Sequence, residues 1–340
     1  VSAKDWEHWG MYDQFVLAAE RIIMRTSRGE SPWHIVEGAE TRFRSLRVAT
    51  VLRDEIERRL REREAQRVAM ESSEVPVPDA SNGSEEVAVG TETILSTLDL
   101  SLSIDKESYA ERLSALQARL NLLHRVARAN HRSVVLVFEG WDAAGKGGAI
   151  RRIVPALDAR AYQIVSIGAP TDEERARHYL WRFWRHLNRA GRVLIFDRSW
   201  YGRVLVERVE GFASEADWRR AYAEINEFED QLVQFGIVLV KVWVHISPEE
   251  QERRFRAREE VPYKRWKLTE EDWRNRSKWV EYEQAVNDMV QNTSTSLAPW
   301  TLVEGEDKRY ARIRVLETVC DALESALEED RDRAEVDVAD

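Results

Sequence analysis

The chain has 340 residues, 33% of them charged and 43% hydrophobic, with a formal net charge of −10. That length suggests about two domains, and thirteen Trp argue for a globular protein that buries a core rather than a long disordered chain. No apolar run approaches the roughly 18 residues of a membrane span, nothing at the start reads as a signal peptide, and a single cysteine, Cys320, excludes an internal disulfide or a cysteine-cluster metal site, so a cytoplasmic setting with no membrane partner is expected.

Taken over the whole chain, −10 also argues against a polyanionic partner such as nucleic acid. The charge is unevenly spread. Residues 71–92 hold six acids and no base among Pro, Gly and Ser, and read as a flexible linker. Residues 328–340 hold seven acids and two arginines, and read as a solvated tail. With −6 in the linker and −5 in the tail, the rest of the chain sums to about +1. Its bases are mostly arginine (43, against eight lysines), and Arg is the better fork for phosphate oxygens.

The first segment in chain order is half of an internal repeat. Residues 5–48 lie on 272–315 at a constant offset of 267 without a gap, and 13 of 44 positions are identical. The dense part is PWHIVEGAETRF from Pro32 against PWTLVEGEDKRY from Pro299. Pro-Trp-x-x-Val-Glu-Gly is not a helix periodicity, so the match is more than two amphipathic helices laid together. The simplest reading is a tandem duplication. Residues 1–65 are expected to be the C-terminal remnant of a first, degenerate repeat, with an acidic linker at 66–94 and a complete second repeat at 95–327.

In the second repeat, leucines at 113, 116, 120 and 123 predict a helix over 106–129. Ser133–Glu139 predicts a buried strand, Tyr162–Ile167 a second, Glu173–Asn188 a helix, and Val193–Phe196 a third strand. A helix at Trp218–Phe235, a strand at Ile237–Ile246, helices at Pro248–Arg258 and Asp272–Asn292, a strand at Trp300–Val303 and a helix at Tyr310–Leu327 complete the series. Alternating strands and helices predict an α/β fold with a mostly parallel, five-stranded sheet flanked by helices.

The first strand runs into Gly140, Trp141, Asp142, Ala143, Ala144, Gly145, Lys146, Gly147 and Gly148, which satisfies G-x-x-x-x-G-K. Glycines let backbone N–H groups converge on phosphate oxygens, and a helix N-terminus behind them adds a positive dipole. Gly147 stands where Ser or Thr would hold a metal, and Asp142 within the loop is available as the ligand instead. The third strand ends in Asp197, on the same carboxyl edge of the sheet, so two carboxylates can hold Mg²⁺ or Mn²⁺. Arg198 and Arg203 follow and can clamp phosphates, though Arg203 also has Glu207 to pair with. Residues 251–267 carry seven bases and three acids; Arg254 and Arg258 share a helix face, with Lys264 and Lys267 beyond, and together predict a basic lid over about 248–275. Phe255 is expected to anchor that lid, and His245 and Cys320 to pack without a chemical role.

These blocks resemble the family 2 polyphosphate kinases. The resemblance spans GWDAAGKGGAIRRI, GAPTDEERARHYLWRFWRHL, FDRSWYGRVLVERVEGF, EEQERRFRAR, KLTEEDWRNRSKWVEYE and TSTSLAPWTLVEG. It implies a thymidylate-kinase-like P-loop kinase with a helical lid, and the repeat is similar to a two-domain subgroup with a first domain lacking the catalytic motifs. It implies transfer from inorganic polyphosphate to AMP, or between a nucleoside diphosphate and triphosphate, with an adenine or guanine nucleotide as partner and a homo-oligomer compatible with the chain. On that resemblance, Asp142 and Asp197 hold the metal, Lys146 the transferred group, Arg198 and Arg203 the phosphates, and Arg254, Arg258, Lys264 and Lys267 the polyphosphate. An ATP-dependent nucleoside monophosphate kinase shares loop, acid and lid. A non-catalytic phosphate-binding scaffold is the alternative from another class.

Overall fold

A computed structural model describes residues 3–27, 31–72, 93–187, 190–261 and 270–339. The chain divides into two units, 1–89 and 90–340. In the first, α1 (Ala3–Gly10), α2 (Tyr12–Thr26) and α3 (Thr41–Ser72) are helices. Ser27 Oγ accepts the Trp33 amide at 3.2 Å, and Thr26 Oγ1 accepts the Trp33 indole N–H at 2.7 Å. The predicted linker falls mostly on residues 73–92, outside the described ones.

The second unit opens with α4 (Lys106–Ala129), the span that the leucine spacing predicts. Asp105 caps it by accepting the N–H groups of Glu107 and Ser108. Then come β1 (Val134–Gly140), α5 (Lys146–Ile153), β2 (Tyr162–Ser166), the short helices α6 (Asp172–Arg175) and α7 (Trp181–Trp184), β3 (Val193–Asp197), α8 (Val206–Val209), α9 (Glu215–Gln234) and β4 (Val238–His245). After β4 follow α10 (Pro248–Glu259), α11 (Glu270–Ser277), α12 (Trp279–Thr293), β5 (Trp300–Glu304) and α13 (Lys308–Ala339).

The five strands form one sheet, every described pairing parallel, in the order β2-β3-β1-β4-β5. β1 and β4 are apolar along nearly their whole length because helices cover both faces of a parallel sheet. β1 lies between β3 and β4, where the strand order reverses, and that is where such sheets bind ligands beyond their carboxyl ends.

Three expected boundaries move. The helix expected over 173–188 is two short turns, α6 and α7, with non-helical residues between. The Asp-Glu-Glu-Arg stretch of α6 buries nothing, so packing does not extend it. The helix expected over 272–292 breaks at Lys278. The closing helix, expected to end at Leu327, runs on through the acidic residues to Ala339.

One residue inside β4 has no counterpart in an apolar pattern. Lys241 is fully buried, and its ammonium donates to Glu229 Oε2 at 2.7 Å, to the Tyr201 hydroxyl at 2.9 Å and to the Thr293 carbonyl at 2.7 Å. All three donors are therefore used, which is the condition for keeping an ammonium in a core. Glu229 also accepts the Trp200 indole N–H and the Tyr201 hydroxyl, so this buried pair holds the turn after β3 onto the sheet.

Candidate active site

The loop from Gly140 to Gly145 joins β1 to α5. Gly140 has φ +145°, and a Cβ there would stand 2.5 Å from the Val244 carbonyl oxygen, so only glycine lets β1 leave the sheet at this point. Gly145 (φ +121°) opens α5, whose N-terminus faces the loop. Ala143 (φ +65°) and Arg198 (φ +65°) hold left-handed backbone without being glycine, and both stand at this edge. Non-glycine residues in that region cluster where the surroundings over-determine them, often at functional sites.

Lys146 folds back on its own loop and donates to the carbonyls of Gly140 at 2.5 Å and Trp141 at 3.2 Å. Asp142 is enclosed: Arg198 Nη2 donates to Oδ1 at 3.0 Å and Asn275 Nδ2 to Oδ2 at 3.1 Å. Burial pushes its carboxyl up, but Lys146, Arg198 and Asn275 outweigh that and hold it below the usual range. Asp142 is thus an anion whose oxygens are held between Arg198, just after β3, and Asn275 of α11. Asp197 ends β3, paired with β1, so the two carboxylates share one edge. Carboxylate oxygens are the donors that hard cations such as Mg²⁺ or Mn²⁺ take. No group of three or more His, Cys, Asp or Glu gathers as a metal site among the described residues.

Two cavities flank the loop. One, of about 80 Å³, is bounded by Trp141, Trp243, Tyr282, Leu205 and Val206, with Glu139, Asp142 and Arg198 at its polar end. Trp141 stacks on Trp279 at 3.7 Å and donates its indole N–H to His245 Nδ1, so His245 packs at the strand end as expected; burial pushes its pKa down to about 4. The buried Trp243 indole N–H has no hydrogen-bond partner among the described residues. The other cavity, of about 250 Å³, lies across the loop from Ala143 to Gly145 and is ringed by Arg253, Arg254, Arg258, Lys308 and Arg312.

The predicted bases are not equivalent. Arg254 is 4% exposed and donates to the carbonyls of Ala143, Ala144, Gly305 and Glu306 and to Glu250. It therefore braces the phosphate loop from beneath. Phe255 is buried beside it, edge-on to Trp273 at 5.2 Å, and anchors α10. Arg258 lines the basic cavity. Arg203 takes the local option: it pairs with Glu207 at 3.1 Å and lies over the Tyr179 ring. Lys264 and Lys267 lie outside the described residues. Cys320 is buried, and burial pushes its thiol up to about 11. Asn275, Lys308 and Arg312 belong to the site and carry no motif signal of their own. Lys308 and Arg312 are visible only by laying the two repeats together, where their counterparts are Thr41 and Ser45. Asn275 is found only through the fold.

Comparison with known proteins shows the family. The sequence profile of the family described as polyphosphate kinase 2 matches residues 1–64 and 103–331. A Pseudomonas syringae protein named polyphosphate:AMP phosphotransferase is 52% identical over 97% of the chain, and a Pseudomonas aeruginosa protein of the same name is 51% identical over 97%. The alignments cover 64% and 65% of those two proteins, so the chain spans less than two thirds of their length. The crystal structure of a polyphosphate kinase 2 from Pseudomonas aeruginosa superposes with a TM-score of 0.80 at 50% identity, covering 97% of this chain and 66% of that one. That of Arthrobacter aurescens superposes at 0.66 and 37% identity, covering 70% and 87%. The chain belongs to the polyphosphate kinase 2 family.

Proposed function

We propose that this member of the polyphosphate kinase 2 family transfers the terminal phosphoryl group of inorganic polyphosphate to AMP, giving ADP. The observation that carries this reading is the pair of cavities on either side of one phosphate loop, an apolar aromatic one and a basic one. A nucleotide base suits the aromatic lining of the cleft, formed by Trp141, Trp243 and Tyr282. A polyanion fits the ring of arginines and lysine. The names of the Pseudomonas relatives support AMP as acceptor, and a Mycobacterium tuberculosis relative named GDP-polyphosphate phosphotransferase keeps a guanine nucleotide open.

In this reading the loop amides and Lys146 hold the group in transfer, and Arg198 turns from Asp142 to the phosphates. A metal ion, Mg²⁺ or Mn²⁺, held by Asp142 and Asp197 would offset the charge of the approaching phosphates. A nucleotide phosphate is already a nucleophile, so positioning and electrostatics supply most of the rate. Arg254 keeps the loop in shape, Arg258 joins the polyphosphate side, and Lys264 and Lys267 extend it. Residues 1–65 are the end of a first, degenerate repeat, 66–94 a linker, and 95–327 the catalytic unit. No helix among the described residues is long and apolar enough to cross a membrane, and a cytoplasmic setting suits a chain with one cysteine.

The test is direct. Purified protein with Mg²⁺, polyphosphate and AMP should form ADP without any ATP, and Asp197→Asn should lower the rate by at least about 10³-fold with the fold intact. Product formed only when ATP is the donor would favour a nucleoside monophosphate kinase. No product from AMP, ADP, GMP or GDP would favour a scaffold.

A further inference from the structure

Glu139 lines the aromatic cavity, has no chemical role in the reading above, and is the acid nearest the loop on β1. It is 5% exposed and stands one residue before Gly140. Its Oε1 accepts two hydrogen bonds from one residue of a neighbouring segment, the Ser199 amide at 2.7 Å and the Ser199 hydroxyl at 2.8 Å. One position earlier, the Arg198 amide donates to the Phe138 carbonyl at 3.0 Å. The turn leaving β3 is therefore fastened to the end of β1 at two successive residues, once through main chain and once through a buried carboxylate. Between those fastenings Arg198 keeps its φ of +65°, a conformation that persists only where its surroundings hold it. Arg198 then reaches Asp142. Burial pushes the Glu139 carboxyl above its usual range, and Lys146, the Ser199 hydrogen bonds and Arg198 offset that only in part. Hydrogen bonds from a backbone amide and a hydroxyl to a buried carboxyl group are among the stronger kinds.

We propose that Glu139 is a positioning residue for phosphoryl transfer. It fixes Ser199, and through Ser199 the directions of Asp197 and Arg198 relative to the phosphate loop. Glu139 also lines the aromatic cavity beside Asp142 and Arg198, and its Oε1 is taken up by the Ser199 amide and hydroxyl. The proposal rests on the transferase reading for its kinetic consequence. Its structural consequence, a rigid turn after β3, does not depend on turnover.

Two conservative variants separate reach from charge. Glu139→Gln keeps a carbonyl oxygen in place to accept both bonds but removes the charge. Glu139→Asp keeps the charge but withdraws the oxygens by about 1.5 Å, one carbon–carbon bond. The full chain is assayed with Mg²⁺, polyphosphate and AMP, and amide hydrogen exchange is followed over residues 196–204. E139D should lose about 100-fold in kcat, the scale of a small misplacement of reacting groups, while E139Q stays within about tenfold of the parent. The KM for polyphosphate should change by less than about threefold in both, because the basic cavity lies on the other side of the loop. Exchange over 196–204 should rise in E139D and not in E139Q.

Parental kcat and parental exchange in a folded E139D would overturn the proposal. So would an E139Q as impaired as E139D, since the charge and not the bonds would then be the active feature. If the parent itself makes no ADP from polyphosphate, the transferase reading falls while the exchange comparison still decides the role of Glu139.

Discussion

Residues 3–72 and 270–339 start from related sequences, make the same local structure and end in different surroundings. Shifted by 267, the helices 3–10, 12–26 and 41–72 coincide at both ends with 270–277, 279–293 and 308–339. Even the break between the first two helices recurs, at Met11 and at Lys278, in nearly the same backbone conformation. The hydrogen bonds recur too. Thr26 Oγ1 accepts the Trp33 indole N–H as Thr293 Oγ1 accepts that of Trp300, and Ser27 and Ser294 each accept the following tryptophan's amide. Burial does not recur. Val315, Val319, Leu323 and Leu327 are at most 5% exposed, while their counterparts Val48, Leu52, Ile56 and Leu60 are each more than 50% exposed. Residues 300–304 form a strand because β4 lies beside them; 33–37 form none. Local sequence is enough for helix ends and caps, whereas strand and core need the rest of the sheet.

The sharpest way to break this comparison is to delete the same methyl groups from both copies. Leu323→Ala should cost about 2–5 kcal/mol of stability, the range for a large side chain lost from a packed core. Ile56→Ala should change stability by less than about 0.5 kcal/mol, as at a site with nothing packed on it. Urea unfolding of the full chain measures both. Equal losses would show that the apolar face of the first copy is covered in solution.

The copies also differ in chemistry, and there the expected effect is on binding. Arg312 lies against Gly148 of the phosphate loop, its guanidinium 3.6 Å from where a Cβ on that glycine would stand, and makes no hydrogen bond or ion pair among the described residues. Its counterpart is Ser45. Arg312→Ser should weaken polyphosphate binding by about 10- to 100-fold, the scale of one lost bond to a charged group. The reciprocal Ser45→Arg should leave it unchanged. A titration of polyphosphate at fixed ionic strength reads both, and equal effects would remove the functional asymmetry of the repeats.

Lys308 gives a pH dependence with a definite sign. It stands at the exposed rim of the basic cavity, and burial of its ammonium with Arg254 close by pushes its pKa down to about 8. Only the protonated form attracts a polyanion, so affinity should be full below pH 8 and fall above it, by at most about tenfold per pH unit. Solvent at the rim screens part of that dependence. Stability has the opposite slope: an ammonium harder to charge in the folded chain than in the unfolded one costs stability below pH 8, and the cost is relieved as pH rises toward 10.5. Lys308→Met should flatten both profiles. A profile that stays steep in the variant would mean that another group titrates.

How far the sequence carries the argument varies in the same way. The span of α4, the five strands, the phosphate loop and the acid ending β3 are all legible, because each is announced by local periodicity or by a loop with its own backbone demands. The break in 173–188 was not, since a charged first turn can as well continue as stop when nothing packs against it. Lys241 was invisible in a strand of valines, because its partners Glu229, Tyr201 and Thr293 arrive from three other elements. Arg254 was legible as a base but not as a brace under the loop, for its acceptors are backbone carbonyls that no pattern marks.

The smallest expected difference tests the most local feature the copies share. Trp33 and Trp300 each donate an indole N–H to a threonine hydroxyl, at 2.7 and 2.9 Å, but Trp33 is 55% exposed and Trp300 is 8%. An exposed hydrogen bond trades with water at little net gain, while a buried one adds about 0.5–1.5 kcal/mol. Trp300 also stands edge-on to Tyr201, with ring centroids 4.6 Å apart, so a change there reaches the Glu229–Lys241 pair. Trp300→Phe should therefore lower stability by about 1 kcal/mol or somewhat more, and Trp33→Phe by a few tenths. Thermal unfolding of the two variants side by side resolves that gap, and a Trp33→Phe variant as unstable as Trp300→Phe would mean that the shared bond, rather than the sheet around it, sets the stability of both copies.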